Sequence, residues 1–547
     1  MKVKAGSVKI KLVNAVFMLI GVLLLSSCGK VSNDSVLTKG IIYCSEGSPS
    51  TFNPQLDTSF ITIDATSKQL YNRLMDFDPT NFDKIPALAR SWHMTKNGKL
   101  ITFYLRKDVS FHQTDYFTPT RNMNADDVIF SFNRIIDESN PFYQSVAGKF
   151  PFFQSIKFSE LVEDIEKINE YTIRFRLTQP QSSFLTNLAA PFGVILSKEY
   201  ADTLLAQGRD LTELDSKPIG TGPFKYREYR SGSLIRYVKH ENYWRFDVQI
   251  EQLLFNISPG NTSRLTKLLT HECDVIAYPI AMQEIASRKD LVLEEVTSFN
   301  VAFLAFNTQV PPFDNPLVRK AVAHAIDKKA IISAVYYDQA EVADSLLPKA
   351  SWAYSKNTNT IEHSQEKAKL LLADAGLADG FTLDIWAGSI QRAYNPNALK
   401  MAKLIKADLA RIGIEVNIIT FEWSTFLKKL AKGEHQSVLI GWSADHPDPD
   451  NFFSPPLSCA SLATGSNRAM WCNEEFDQLL KQSLATNDTT IRKKLYKQAQ
   501  QILAEEIPLL PIAYAKRAQA KVAEIEGNIL TPFGGISFEN VNKKALQ

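Results

Sequence analysis

Neither sign of charge dominates this sequence. The formal net charge is +2 over 547 residues, and no run of like charges or low-complexity tract interrupts it. Without a basic stripe, or aromatics interleaved with Lys and Arg, nucleic-acid binding has no electrostatic basis. After Cys28 no stretch of about 18 or more apolar residues occurs, so the body is expected to be soluble and cannot itself form a helical transporter. Catalytic signatures are also missing. His240-Glu241-Asn242-Tyr243-Trp244 lacks the second histidine of a zinc-protease helix, and no Gly-x-Ser-x-Gly elbow occurs. His271-Glu272-Cys273 has no spaced partner cluster to complete a metal site. Gly220-Thr221-Gly222 has no third glycine, and Pro223 removes a backbone donor that a phosphate cradle needs. Two glycines so placed predict a tight turn where two elements approach closely. An enzyme is not expected, and neither is a cofactor or a metal.

What is present describes a large folded chain. At 45% hydrophobic and 22% charged residues it is globular in composition, and about 150 residues per domain gives two to four domains. Lys2, Lys4, Lys9 and Lys11 lead into the mostly apolar stretch Leu12 to Leu25, which reads as a signal peptide. It ends in Leu25-Ser26-Ser27-Cys28, which resembles a bacterial lipobox. Lipidation of Cys28 would anchor the protein peripherally, and an uncleaved anchor helix would do the same. Four cysteines remain, Cys44, Cys273, Cys459 and Cys472, an even number that admits two disulfides and three pairings. Cys459 with Cys472 is the sequence-local pair and leaves Cys44 for Cys273.

Along the chain, Lys30 to Thr38 is a polar tether. Asn97-Gly98 predicts a hairpin turn before a strand over Ile101 to Leu105. Asn124 precedes Asp126, Asp127 and a helical apolar pattern, so the acids are structural, set at the positive end of a helix. Helices are predicted from Ser364 to Gly376, from Pro396 to Ile412 and from Thr425 to Lys432, with strands over Ile414 to Phe421 and Ser437 to Trp442. Such alternation indicates α/β crossover units with ligand sites at strand ends.

The most informative stretch is Gly441-Trp442-Ser443-Ala444-Asp445-His446-Pro447-Asp448-Pro449-Asp450-Asn451-Phe452-Phe453, a buried strand ending in an aromatic and then three acids. It admits a calcium loop, solvated turn acids or an ammonium site, and the pattern alone does not choose. Upstream, Arg392 in Gln391-Arg392-Ala393-Tyr394-Asn395-Pro396-Asn397 lies in a loop and can hold a carboxylate with two parallel bonds; a loop arginine in water fits the pattern equally.

These stretches, together with Tyr43-Cys44-Ser45-Glu46-Gly47-Ser48-Pro49, Phe52-Asn53-Pro54-Gln55, Phe117-Thr118-Pro119-Thr120-Arg121, Asn124-Ala125-Asp126-Asp127-Val128 and Pro218-Ile219-Gly220-Thr221-Gly222-Pro223-Phe224, resemble the peptide-binding family of extracellular solute-binding proteins of ABC importers, in particular its dipeptide-binding branch. The resemblance runs from about Ile41 to Asn540. It implies an α/β fold of two lobes with a hinge and an extra inserted domain, a peptide enclosed between the lobes, and closure on binding.

Carried over by position, the resemblance gives Asp445, beside Trp442, the peptide amino group, and gives Arg392, with Tyr394 nearby, the peptide carboxylate. Thr58 and Ser59 fall near the ligand. The branch has a glycine after Thr-Ser where this chain has Phe60, a bulky ring that bears on dipeptide preference; Ala393 and His446-Pro447 are lesser departures. The branch also pairs the equivalents of Cys44 with Cys273 and of Cys459 with Cys472. Expected divisions are a signal peptide with lipobox cysteine at 1–28, a tether at 29–40, lobe I from 41–70, 220–298 and 515–547, an inserted domain at 71–219, and lobe II at 299–514. The implied partners are short peptides, inner-membrane ABC permease subunits and, through the lipid, a membrane of the cell envelope, with a monomeric protein in the periplasm. Relatives in the family bind haem or antimicrobial peptides, so a haem ligand, with His446 as an axial candidate, or an antimicrobial peptide is the alternative reading.

Overall fold

The computed structural model describes residues 39–356, 361–533 and 535–544, the side chains of Ser424 and Thr464 excepted. The signal segment, Cys28 and most of the tether therefore lie outside the described residues. Gly40, expected at the end of the tether, already pairs with Gln252 in the first strand, Gly40–Ser45.

One strand organises the molecule. Leu509–Val522 changes partners part-way along its length. Its first half pairs antiparallel with Asn300–Phe306, Ala302 opposite Ala513 and Leu304 opposite Leu510, and with Ala340–Val342. From Lys516 onward it pairs with Leu291–Thr297 and Val275–Ala277. A 12-stranded sheet results, running in space from Glu415–Ile419 through Thr382–Ala387, Ser437–Ser443, Asn300–Phe306 and Leu509–Val522 to Val275–Ala277, Gly40–Ser45, Gln252–Ile257, Leu234–Lys239 and Phe224–Arg230. One lobe carries the strands on each side of Leu509–Val522. The chain crosses between them twice, at the end of Leu291–Thr297 and again near Ala515. The Asn300 side chain ties the crossings together: its Nδ2 donates to Ala515 O at 3.1 Å and its Oδ1 accepts from Ala515 N at 3.0 Å.

The lobe bearing Asn300–Phe306 is built from the predicted crossover units. Thr382–Ala387 runs parallel to both Glu415–Ile419 and Ser437–Ser443, and the helices Ala398–Ala410 and Trp423–Ala431 make the connections. Asn397 caps the first of these helices by accepting from Lys400 N at 2.9 Å. Gly413, with φ +84°, ends it. Apolar side chains alternate across the sheet with the two-residue period of a strand. Leu304, Ile385 and Leu439 pack under one layer, while Val301, Trp386 and Val438 pack under the other.

A separate antiparallel sheet, Ala89–Met94, Leu100–Leu105, Thr172–Leu177 and Val162–Asn169, shares a continuous core with the lobe that bears Gly40–Ser45. Its helix Ala125–Ile136 starts in a capping box made by Asn124 and Asp127, and Asp127 also takes Arg121, so these aspartates are structural. The close approach predicted for Gly220 and Gly222 is against Leu70: a Cβ on Gly220 would lie 1.9 Å from Leu70 O. Cys44 is disulfide-bonded to Cys273, and Cys459 to Cys472. Among the described residues no helix is long and apolar enough to cross a membrane.

Candidate functional site

Two loops at the ends of neighbouring parallel strands form the site. Ser437–Ser443 delivers Trp442, and the chain then turns through Ala444 and Asp445 into the helix Asp450–Leu457. Asn451, on the first turn of that helix, fastens the turn: its Oδ1 accepts from Trp442 Nε1 at 3.1 Å and from Asp445 N at 3.3 Å. Asp445 is thereby fixed in the backbone, but no ion pair among the described residues reaches its carboxylate. Burial pushes its carboxyl up to about 7, with hydrogen bonding from Asn451 opposing the shift. A half-buried carboxylate with no cation beside it is costly, and such perturbed groups cluster at functional sites.

The three acids of the loop differ in role. Asp448 is buried against Arg492, whose Nη2 donates to both carboxylate oxygens at 2.8 and 2.9 Å. Burial alone would raise Asp448, but Arg492 holds it below the usual carboxylate range. Asp450 takes the Ser454 hydroxyl, and burial pushes it up to about 7. The reading of solvated turn acids is thus corrected: Asp448 completes a buried ion pair that braces the loop. Among the described residues no metal-binding cluster forms.

Arg392 follows the strand Thr382–Ala387 in a tight loop closed by Arg392 N to Asn395 O at 2.9 Å and Asn395 N to Arg392 O at 3.0 Å. Its guanidinium lies over the indole of Trp423, 3.8 Å from the ring centroid. The Nε is buried with no partner, and burial pushes the guanidinium down, with Tyr394 and Tyr278 opposing. Tyr394 packs on the neighbouring strand, so that a Cβ on Gly441 would lie 2.4 Å from its ring. Burial pushes its phenol up to about 12 against the pull of Arg392 and Arg468. Gly441 directly precedes Trp442, so Tyr394 links the Arg392 loop to the strand that delivers Asp445.

Arg392, Tyr394, Trp442 and Asp445 are therefore brought to one end of one sheet. The opposite lobe faces them: Asn261 Nδ2 donates to Gln391 Oε1 at 2.8 Å, and the Tyr278 phenol feels the charge of Arg392. Ser59 is committed locally. It caps the helix Phe60–Thr66 and donates its hydroxyl to Asp57 Oδ2 at 2.6 Å, while Thr58 is exposed. Phe60 lies under the Arg517 guanidinium, 5.5 Å from it. His446 is 2% exposed, with Nδ1 accepting from Asp448 N at 3.3 Å and Nε2 lying 3.3 Å from the Asn451 carboxamide. Burial pushes it down to about 4. A neutral, internally bonded ring is not presented to an axial position.

Sequence reasoning missed Trp423, Asn451 and Tyr278. Asn451 lay inside the stretch singled out, and its short amide three residues after Asp448 was the signal. Trp423 and Tyr278 carry none, since only the folded chain brings them to Arg392.

The family model for bacterial extracellular solute-binding proteins, family 5 Middle, matches residues 84–463. The chain belongs to that family. The dipeptide-binding protein of Escherichia coli (strain K12) is 42% identical over 510 residues, covering 93% of this chain and 95% of that one. Heme-binding protein A of Haemophilus influenzae is 41% identical over 503 residues, covering 92% of each. Among solved structures, the dipeptide binding protein from Pseudoalteromonas sp. SM9913 in complex with Met-Leu superposes with a TM-score of 0.85 at 47% identity, covering 92% of this chain and 100% of that one. As a family member the protein has the two-lobed α/β solute-binding fold, and the family's members bind solutes for transport.

Proposed function

We propose that this solute-binding protein captures short peptides by their two charged ends and delivers them to an ABC importer. Asp445 receives the ammonium and Arg392 the terminal carboxylate, with Trp442 and Tyr394 lining the space and Thr58 contributing from the opposite lobe, its neighbour Ser59 fixing that turn through Asp57. The observation that carries this reading is one carboxylate and one guanidinium at the same sheet end, both half-buried and neither paired with an opposite charge among the described residues. A free peptide supplies the missing counter-charge to each, and such charge-assisted bonds are the strong ones. The 42% identity to the dipeptide-binding protein of Escherichia coli supports the same ligand class.

Haem capture, suggested by one relative's name, finds less support because His446 is spent inside its own loop. No cofactor and no enzymatic step enters this reading. In it, Cys28 carries the lipid, the protein stands as a monomer in the periplasm and meets inner-membrane permease subunits. The lobes divide as 41–70, 220–298 and 515–547 against 299–514, with 71–219 inserted, and rigid-body closure about the two crossing strands follows ligand capture.

Native mass spectrometry of the full chain, purified in mild detergent without added ligand, tests this. Adducts at dipeptide or longer-peptide masses support it; a single haem-mass adduct overturns it.

A further inference from the structure

A third uncompensated charge stands in the same lobe. Arg468 makes no hydrogen bond or ion pair through its guanidinium to any described residue, and its Nη1 is buried without a partner. It opens onto a small cavity of about 80 Å³ lined also by Phe303, Ile440, Gly441, Trp442 and Pro456. The volume accommodates several non-hydrogen atoms. The other walls are apolar side chains and backbone together with Ser466, whose hydroxyl donates to Pro455 O at 2.8 Å, so an ion entering there meets one charge only.

The position is built with care. Arg468 lies inside the loop closed by the Cys459–Cys472 disulfide, whose members are 13 apart in sequence. His435 Nε2, on a ring that burial pushes down to about 4 and so keeps neutral, donates to Arg468 O at 2.7 Å. The next carbonyl, Ala469 O, accepts from Thr308 N at 2.9 Å, and Asn467 Nδ2 donates to Trp471 O at 2.7 Å. The backbone on each side is held, while the head group is left without a partner. Such an arrangement costs stability unless something else completes it. Tyr394 feels both Arg392 and Arg468, so both guanidiniums lie within electrostatic reach of one phenol, and Trp442 is shared between this cavity and the Asp445 turn.

We propose that Arg468 is a second anion-recognising group of the cleft, which binds a carboxylate other than the one held by Arg392 and gives the protein a preference for peptides that carry one. The inference rests on the peptide reading above. The second carboxylate comes from an Asp or Glu side chain of a short peptide, or from the C terminus of a peptide too long for Arg392 to serve. Either matches the planar fork of an arginine, and a guanidinium left unpaired beside an apolar wall discriminates against the neutral amide.

Calorimetric titration of the full chain in mild detergent with Ala-Ala, Ala-Glu, Ala-Gln, Glu-Ala, Gln-Ala, Ala-Ala-Ala and the tripeptide amide separates these. For a side-chain carboxylate, Ala-Glu or Glu-Ala binds about tenfold tighter than its Gln counterpart, and Arg468→Gln collapses that ratio to about twofold while leaving Ala-Ala within about twofold. For the C terminus of a longer peptide, the same substitution weakens the tripeptide but spares its amide and Ala-Ala. Arg468→Lys keeps the charge without the fork and retains part of either preference, which serves as the reading if Arg468→Gln fails to fold. A wild type indifferent both to Glu against Gln and to amidation of the tripeptide, or an Arg468 variant that weakens neutral and acidic ligands alike, overturns the proposal. Binding of none of the peptides by the wild type removes the peptide reading itself and this inference with it, an outcome distinct from peptides that bind without regard to Arg468.

Discussion

The guanidinium of Arg392 lies over the indole of Trp423, 3.8 Å from its centroid, though the two are 31 positions apart in the chain. The stacked ring holds the planar group in place without using any of its donors, so its two Nη groups keep theirs for a carboxylate. Replacing Trp423 by Leu removes the stacking face and leaves the charge. The expected loss is about 0.5–2 kcal/mol of binding for peptides with a free carboxylate, and little for their amides. Titration calorimetry on the two ligand series checks it; equal losses would mean that Trp423 acts on the fold alone.

Asp445 sets a pH dependence whose sign follows from its raised pKa. An acid near 7 in the folded protein and at about 3.9 in the unfolded chain holds more protons folded than unfolded between those values. Its contribution to stability therefore falls as pH rises through that window, and Asp64 and Asp450, also pushed up to about 7 by burial, act in the same direction. A peptide ammonium favours the ionised form, so binding at about pH 6 should release a proton from Asp445, and affinity should rise toward neutral pH. Titrations in two buffers of different ionisation enthalpy read this release. Asp445→Asn should abolish it even though Asp64 and Asp450 remain.

Arg492 braces the loop from below. Arg492→Met leaves Asp448 as an unpaired buried charge and should cost about 3–5 kcal/mol, whereas Asp448→Asn combined with Arg492→Met should recover much of that loss. Denaturant midpoints of the two variants provide the comparison.

Asn300 satisfies both backbone groups of Ala515 at the place where the two strands cross between lobes. Asn300→Ala leaves those groups buried and unpaired, and should lower stability by about 2 kcal/mol in denaturant unfolding.

How much of this was legible in the sequence depended on how local its cause was. The helix Ala398–Ala410 and its stop at Gly413 were readable because cap, apolar spacing and positive-φ glycine lie within a few residues of one another. The Asn124 helix and the Gly220–Gly222 approach were readable for the same reason. Asp445 and Arg392 were plain as charged groups beside strand ends, but their lack of partners was not, because neutralisation is decided by distant chain. Arg492 makes this clear: it lies 44 residues from Asp448 and turns an apparently solvated acid into half of a buried pair. Within Leu509–Val522 the apolar run to Ala515 gives way to Lys516, Arg517, Gln519 and Lys521, but composition alone does not say which strands pair with each half.

The most direct measurement crosses the two charges with peptides blocked at either end. Ala-Ala, its N-acetyl form and its amide are titrated into the wild type, Asp445→Asn and Arg392→Gln. Asp445→Asn should cost about 2–5 kcal/mol on Ala-Ala and little on the N-acetyl form, and Arg392→Gln should mirror this on the amide. Losses that ignore which end is blocked would contradict the capture of peptides by their two termini.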